Sequence, residues 1–564
     1  MKKLLSIFLS AALLASLTAC EKPLTNTDAA ADTANTDSTA AAQTAGTTSY
    51  DTADAVVLTF TDSGITASSE AAGYSIDGTA LTLEKSGTYI LTGSCQNGSV
   101  RVKKGTTGVT LVLRDLTLTS TDTAPITCAK SSEVTILVED DTQTTLTDAA
   151  ENNKDTCPDN ANAENAVLKC KDGSQVTLCG GGTLNIVANG KNGIKSGAAT
   201  AGEGAASLTI RELTLNITAL VNDAINAEQT LNLESGTLNI AAGDDAVHSD
   251  YVLVVGAENT DGPTINISQC CEGLEGAELT IASGSIHMQA SDDCLNVANG
   301  DLRNYDFTCT ITGGTLILQT SGGDGIDSNG DLTITGGTVV VWTANSTDNQ
   351  PLDADGTITI TGGTVLAAGG SAGMGITLSA AQPCVQFGST SGMMTGGMGG
   401  PGADGQTPPE LPDNADGTQV PPQRPDSSEA DQPAADGQTP PTPPDGTDTS
   451  QSRPEKPDNM PDFSGKTPSF DGSAPDLGSF PGTGDAILAA GDSFTITDAD
   501  GSVVYTGEAV YDARFLFFSS ADLTADASYT LQSDTGAAET AQAVTGDSSN
   551  DRFTRPAAST NTAA

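Results

Sequence analysis

Basic residues are scarce: 23 Lys and Arg stand against 72 Asp and Glu in 564 residues, and no lysine occurs between Lys195 and Lys456. A phosphate backbone would be repelled by such a chain, so nucleic acid is excluded as a partner. Aromatic residues make up only 4% of the sequence, with one tryptophan, and helical periodicity is nearly absent, which excludes an ordinary helical enzyme. There are two histidines, no Ser/His/Asp arrangement stands out, and neither CxxC spacing nor a Cys/His cluster argues for zinc. Long apolar runs are missing after the N-terminus, so no later segment is long enough to cross a bilayer.

The N-terminus itself reads MKKLLSIFLSAALLASLTAC, with Lys2 and Lys3, an apolar stretch from Leu4, and then Leu17-Thr18-Ala19-Cys20. It resembles a bacterial lipoprotein signal peptide over residues 1–19, with lipid on the Cys20 sulfur. An ordinary secretory signal or a short membrane anchor is the alternative, but the apolar run is too short to span comfortably and the cysteine sits where lipoprotein cleavage occurs. Residues 20–52 are mostly Thr, Ala, Asp and Asn and read as a flexible tether. The expected location is the extracellular side of the bacterial cell membrane, held by the lipid anchor only. Ten cysteines remain, spaced unlike those of a small stapled domain. They read as buried thiols used as small apolar side chains, with Cys157 and Cys170 the candidates for an oxidised pair.

From 53 to 392 the chain is built of short runs such as LTLNI, TCTITGGTLIL and TITITGGTVLA, apolar alternating with Thr, Asn or Ser and punctuated by glycine. Each reads as strand, tight turn, strand. A three-residue unit recurs beside them: Asn165-Ala166-Val167, Asn192-Gly193-Ile194, Asp223-Ala224-Ile225, Asp245-Ala246-Val247, Glu272-Gly273-Leu274, Asp293-Cys294-Leu295, Asp324-Gly325-Ile326 and Gln350-Pro351-Leu352. The steps between units are 27, 31, 22, 27, 21, 31 and 26, and the glycine turns drift in step with them. One step is therefore one coil of a solenoid. The expected fold is all-β, a right-handed parallel β-helix of about a dozen coils, roughly 60 Å long at ~4.8 Å per coil. A β-propeller competes, but its blades need about 40 residues.

Residues 393–484 carry 18 of the 25 prolines and cannot build a core, so they read as a disordered spacer. Strand patterns resume at DAILAAGDSFTITDADGSVVYTGEA, and residues 485–546 read as a small β cap over the open end of the rod, followed by a tail from 547 to 564.

As a set, TYILTGSCQNGSVRV, VTLVLRDLTLTST, GGGTLNIVANGKNGIKS, the repeated DG-I and DD-A-V turns, GGTVVV and the closing FLFFSSADL resemble the bacterial carbohydrate-binding β-helix family. These are exported, calcium-associated proteins of pectate-lyase-like fold. The resemblance implies a surface protein that binds plant cell-wall polysaccharide, cellulose-like or polygalacturonate-like.

In a β-helix, equivalent positions stack about 5 Å apart, so Asp223, Asp245, Glu272, Asp293 and Asp324 would form a column of mutually repelling carboxylates. Ca²⁺ resolves such a column, taking six to eight oxygens. Asp244, Glu275, Asp292, Asp327 and Asp353, the second acidic residue of several turns, are the additional candidate ligands. The competing reading is solvated turn chemistry, since Asp favours turns anyway.

Two main functions stay open. One is a non-catalytic binder in which calcium bridges protein and uronate carboxylates; the other is a calcium-dependent polysaccharide lyase, which needs a Lys or Arg base. Arg303 is the candidate base, and catalysis is not the favoured reading. A structural stalk would equally suit the long spacer. Trp342, Tyr251 and Tyr305 are the candidate sugar platforms. His248 and His287 read as turn and strand residues, and the protein is expected to be a monomer.

Overall fold

The computed structural model describes residues 49–70, 73–197, 207–300, 302, 305–344, 349–369, 380–388 and 486–546. The expected signal peptide with Cys20, most of the expected tether, the expected spacer and tail, and Arg303 lie outside the described residues. Among the described residues every regular element is a β-strand.

Three strands recur along the chain, each pairing in parallel with its equivalent one repeat later. The first series runs Thr183–Val187, Thr214–Ala219, Thr237–Ala242, Thr264–Gln269, Ser285–Ala290, Thr315–Thr320, Thr338–Thr343 and Thr364–Gly369. A second series of short strands includes Ala166–Cys170, Asn192–Ser196, Ile225–Ala227, Leu295–Val297 and Ile326–Ser328, and the first halves of Val247–Val255 and Leu274–Ile281 belong to it. The third includes Glu133–Val138, Gln175–Cys179, Ser207–Ile210, Thr230–Leu233, Thr308–Ile311, Asp331–Ile334 and Ile358–Ile360.

Alternation explains each strand. In Thr237–Ala242, Leu238, Ile240 and Ala242 are buried while Thr237, Asn239 and Ala241 face outward. Parallel register stacks like on like: Leu184, Leu215, Leu238, Ile265, Ile286, Leu316, Val339 and Val365 form one buried column. Outside, Asn216, Asn239 and Asn266 each donate an amide N–H to the asparagine one coil earlier, at 2.8–2.9 Å. Gly236, before the Thr237 strand, has φ of 92°, and a Cβ there would meet the Leu213 carbonyl at 2.4 Å, so only glycine closes this turn.

At the far end Phe515–Ser519 runs antiparallel to both Thr364–Gly369 and Cys384–Gly388. Ser493–Thr497, Val503–Glu508, Ser528–Ser533 and Ala538–Gln542 form a separate four-stranded antiparallel sheet. The two parts share a core of Trp342, Leu366, Phe387, Phe494, Phe518 and Leu531.

Three expectations need correction. Asn165 is not the equivalent of Asn192: Ala166 is, because Asn165 is left-handed (φ 61°) at the end of a long loop. Cys157 and Cys170 do not pair; Cys170 is buried against Cys128 on the neighbouring strand, and both remain thiols. Trp342 is only 2% exposed and packs edge-on against Phe494 at 6.1 Å, so it offers no face to a sugar.

Candidate metal and carbohydrate site

The recurring unit lies at the corner between the first and second strand series, and packing accounts for two of its three residues. Ile225, Val247, Leu274, Leu295 and Ile326 point into the core. The residue before each is small because the corner is tight: a Cβ at Gly273 would meet the Cys294 carbonyl at 2.2 Å, and one at Gly325 would meet Val341 Cγ1 at 2.0 Å. The acid is not required by packing.

Backbone hydrogen bonds from each small residue to the acid one coil later thread Asp223, Asp245, Glu272, Asp293, Asp324 and Gln350 into one column, for example Ala224 N to Asp245 O at 3.0 Å and Cys294 N to Asp324 O at 3.1 Å. Beside it, three residues further along each coil, run Asn226, His248, Glu275, Asn296, Asp327 and Asp353.

Burial decides the charge state of the first column. It pushes Asp223 up to about 6, with the Asp245 charge adding to the rise and the Asn226 amide opposing it. Asp245 is likewise raised to about 6 by burial; its hydrogen bond to His248 opposes this and Glu275 adds to it. Asp293 reaches about 7, again through burial, although the Asp324 N–H donates to it at 2.6 Å. Glu272 is raised by burial too, offset by the Asn296 amide at 2.6 Å. These carboxyls hold protons unusually well and are correspondingly short of positive charge.

Among the described residues, three groups bring ligand atoms within 4.8 Å of one another: Asp324, Asp327 and Asp353; Asp223, Asp244 and Asp245; and Asp245, His248 and Glu275. The first two offer oxygen only, the donor set of a hard cation. Glu272, Asp292 and Asp293 join none of these groups, although the sequence placed them among the ligands. His248 was missed: its signal was its position three residues after Asp245, where other coils carry Asn226 and Asp327. Burial works against its charge, but hydrogen bonds to Asp245, Asp250 and Glu275 hold it up to about 12.

Tyr251 and Tyr305 lie on the same coils, half-buried, with ring centroids 6.5 Å apart edge to face. Phe307 adds a third ring 5.4 Å from Tyr305, whose hydroxyl donates to Glu278. This ledge sits beyond the second strand series from the carboxylate column.

The family described as carbohydrate-binding domain-containing protein matches residues 77–373, more than half of the chain. A solved structure described as a polysaccharide lyase-like protein from C. thermocellum, in a gadolinium derivative, is similar at 22% identity over 50% of this chain and 99% of that one, with a TM-score of 0.35. No curated relative matches. The chain belongs to the carbohydrate-binding domain-containing family.

Proposed function

We propose that this chain is a lipid-anchored protein of the outer face of the bacterial membrane that holds plant cell-wall polysaccharide without cleaving it, on a right-handed parallel β-helix of about a dozen coils with Ca²⁺ in its carboxylate clusters. Family membership supports the polysaccharide. The calcium reading is carried by the column itself: buried and half-buried carboxyls stacked coil upon coil, raised towards neutrality, beside two clusters offering oxygen alone. Asp324, Asp327 and Asp353 would hold one ion and Asp223, Asp244 and Asp245 another, with turn carbonyls and water completing each shell. Bound there, calcium supplies the positive charge that lets so acidic a surface hold a polyuronate. The Tyr251, Tyr305 and Phe307 ledge offers ring faces to a neighbouring sugar.

One observation favours the lyase as a second reading. Lys169 stacks on Lys195, which stacks on Asn226 beside Asp223, and burial followed by the Lys195 charge lowers the Lys169 pKa. A lysine so placed fits a base that removes the proton beside a uronate carboxyl.

The test combines chelator, calcium and polymer on the full chain. Calcium should raise the melting temperature and be required for retention on polygalacturonate, with no unsaturated product absorbing in the ultraviolet. Product formation lost in Lys169→Ala would establish the lyase, and a melt indifferent to calcium would reduce the column to turn chemistry.

A further inference from the structure

We infer that Asp245, His248 and Glu275 form a site for a divalent transition ion such as Zn²⁺, chemically distinct from the all-oxygen clusters and positioned by Asp250. His248 Nδ1 lies 3.2 Å from Asp245 Oδ2 and 2.5 Å from Glu275 Oε2, so one nitrogen and two carboxylate oxygens converge on one point. On the other side of the ring, Nε2 lies 2.8 Å from Asp250 Oδ1. With Nε2–H donated to Asp250, Nδ1–H is the ring group donated to the two carboxylates, and once an ion takes the place of that proton the carboxylate behind the ring orients Nδ1 as a ligand.

Comparison along the column sets this coil apart. At equivalent positions Asn226 donates to Asp223 at 2.6 Å and Asn296 to Glu272 at 2.6 Å, so on those two coils a neutral amide satisfies the carboxylate. At 248 the column carries an imidazole instead, with a third carboxylate behind it. Imidazole favours zinc, nickel, copper or iron over calcium, and three protein ligands leave one tetrahedral position for water or a sugar oxygen. The group is half-buried, with side-chain exposures of 14%, 21% and 13% for Asp245, His248 and Glu275, so an ion can enter from solvent. Spreading the ligand atoms to the edge of a shell with ~2.0–2.2 Å bonds needs only side-chain movement. Binding replaces the proton on Nδ1 with the ion and releases that proton to solvent. Asp245 belongs to this group and to the Asp223 and Asp244 cluster, so the two ions would be neighbours.

The inference does not rest on the polysaccharide reading, because its probe contains no sugar. The full chain is stripped with chelator, saturated with Ca²⁺ and titrated calorimetrically with Zn²⁺ at neutral pH. One Zn²⁺ should bind per chain and withstand excess calcium. His248→Gln should weaken it at least a hundredfold, Asp250→Asn about 10- to 100-fold, and His287→Gln, at the chain's other and exposed histidine, not at all. Co²⁺ in place of Zn²⁺ should give visible absorption that His248→Gln removes. Circular dichroism of each variant separates a lost ligand from a lost fold. Absence of Zn²⁺ binding in the unaltered chain, or equal binding and equal Co²⁺ spectra in a folded His248→Gln, would overturn the site.

Discussion

Asp293 shows how one carboxyl couples stability to pH. Its folded value of about 7 lies above the ordinary aspartate value, so the folded state binds the proton more tightly than the unfolded chain. The resulting destabilisation is absent below about pH 4 and complete above about pH 7. In chelator, melting temperature should therefore fall as pH rises across that window. Asp293→Asn keeps an acceptor for the Asp324 N–H and should stabilise the chelated protein at pH 8 by about 1–2 kcal/mol. That is well below the ~4 kcal/mol that the whole rise represents, because water reaches the group. Calcium reverses the argument at the Asp223, Asp244 and Asp245 cluster, where it competes with the protons held by Asp223 and Asp245, both raised to about 6, so its affinity there should drop more than tenfold between pH 8 and pH 5.5, as read by calorimetry. An affinity that does not change with pH would remove the raised carboxyls from the binding reaction. Asp324→Ala should abolish one calcium and most of its thermal benefit.

Single strands are weak units here; each is held by the coil before and the coil after. Leu238 sits in the middle of the buried leucine and isoleucine column, between Leu215 and Ile265. Leu238→Ala should cost about 2–5 kcal/mol, because rigid neighbours on both sides cannot collapse into the cavity. Gly236→Ala should cost about 1–3 kcal/mol for a different reason, the positive φ and the Leu213 carbonyl at 2.4 Å. Both are measurable as lower urea midpoints, and a Gly236→Ala midpoint equal to the unaltered one would mean that the turn can rearrange. Such elements were legible in the sequence because a strand of period 2 and a turn that needs glycine are local properties. The shift at Asn165 was not legible: a loop of unusual length lets the register slide by one, and only pairing with Asn192 reveals it.

The whole molecule decides what is exposed. Trp342 alternates outward from its own strand, yet Phe494, more than a hundred residues later, covers it. As the only tryptophan, it reports this docking. Its emission should be blue-shifted in the native protein, and Phe494→Ala should move it to the red while the leucine column stays folded. A red-shifted native spectrum would mean that the C-terminal sheet is undocked.

The sequence alone determined the all-β class, the repeating strands and the acidic column, since composition, alternation and period are written residue by residue and parallel stacking turns an equal position into a shared neighbourhood. Tertiary structure decided which carboxylates meet, that His248 lies among them with Asp250 behind it, that Cys170 faces Cys128 rather than Cys157, and that Trp342 is covered. Those contacts join residues from different coils or different domains, and their distances depend on corner geometry and side-chain reach, which no local pattern encodes.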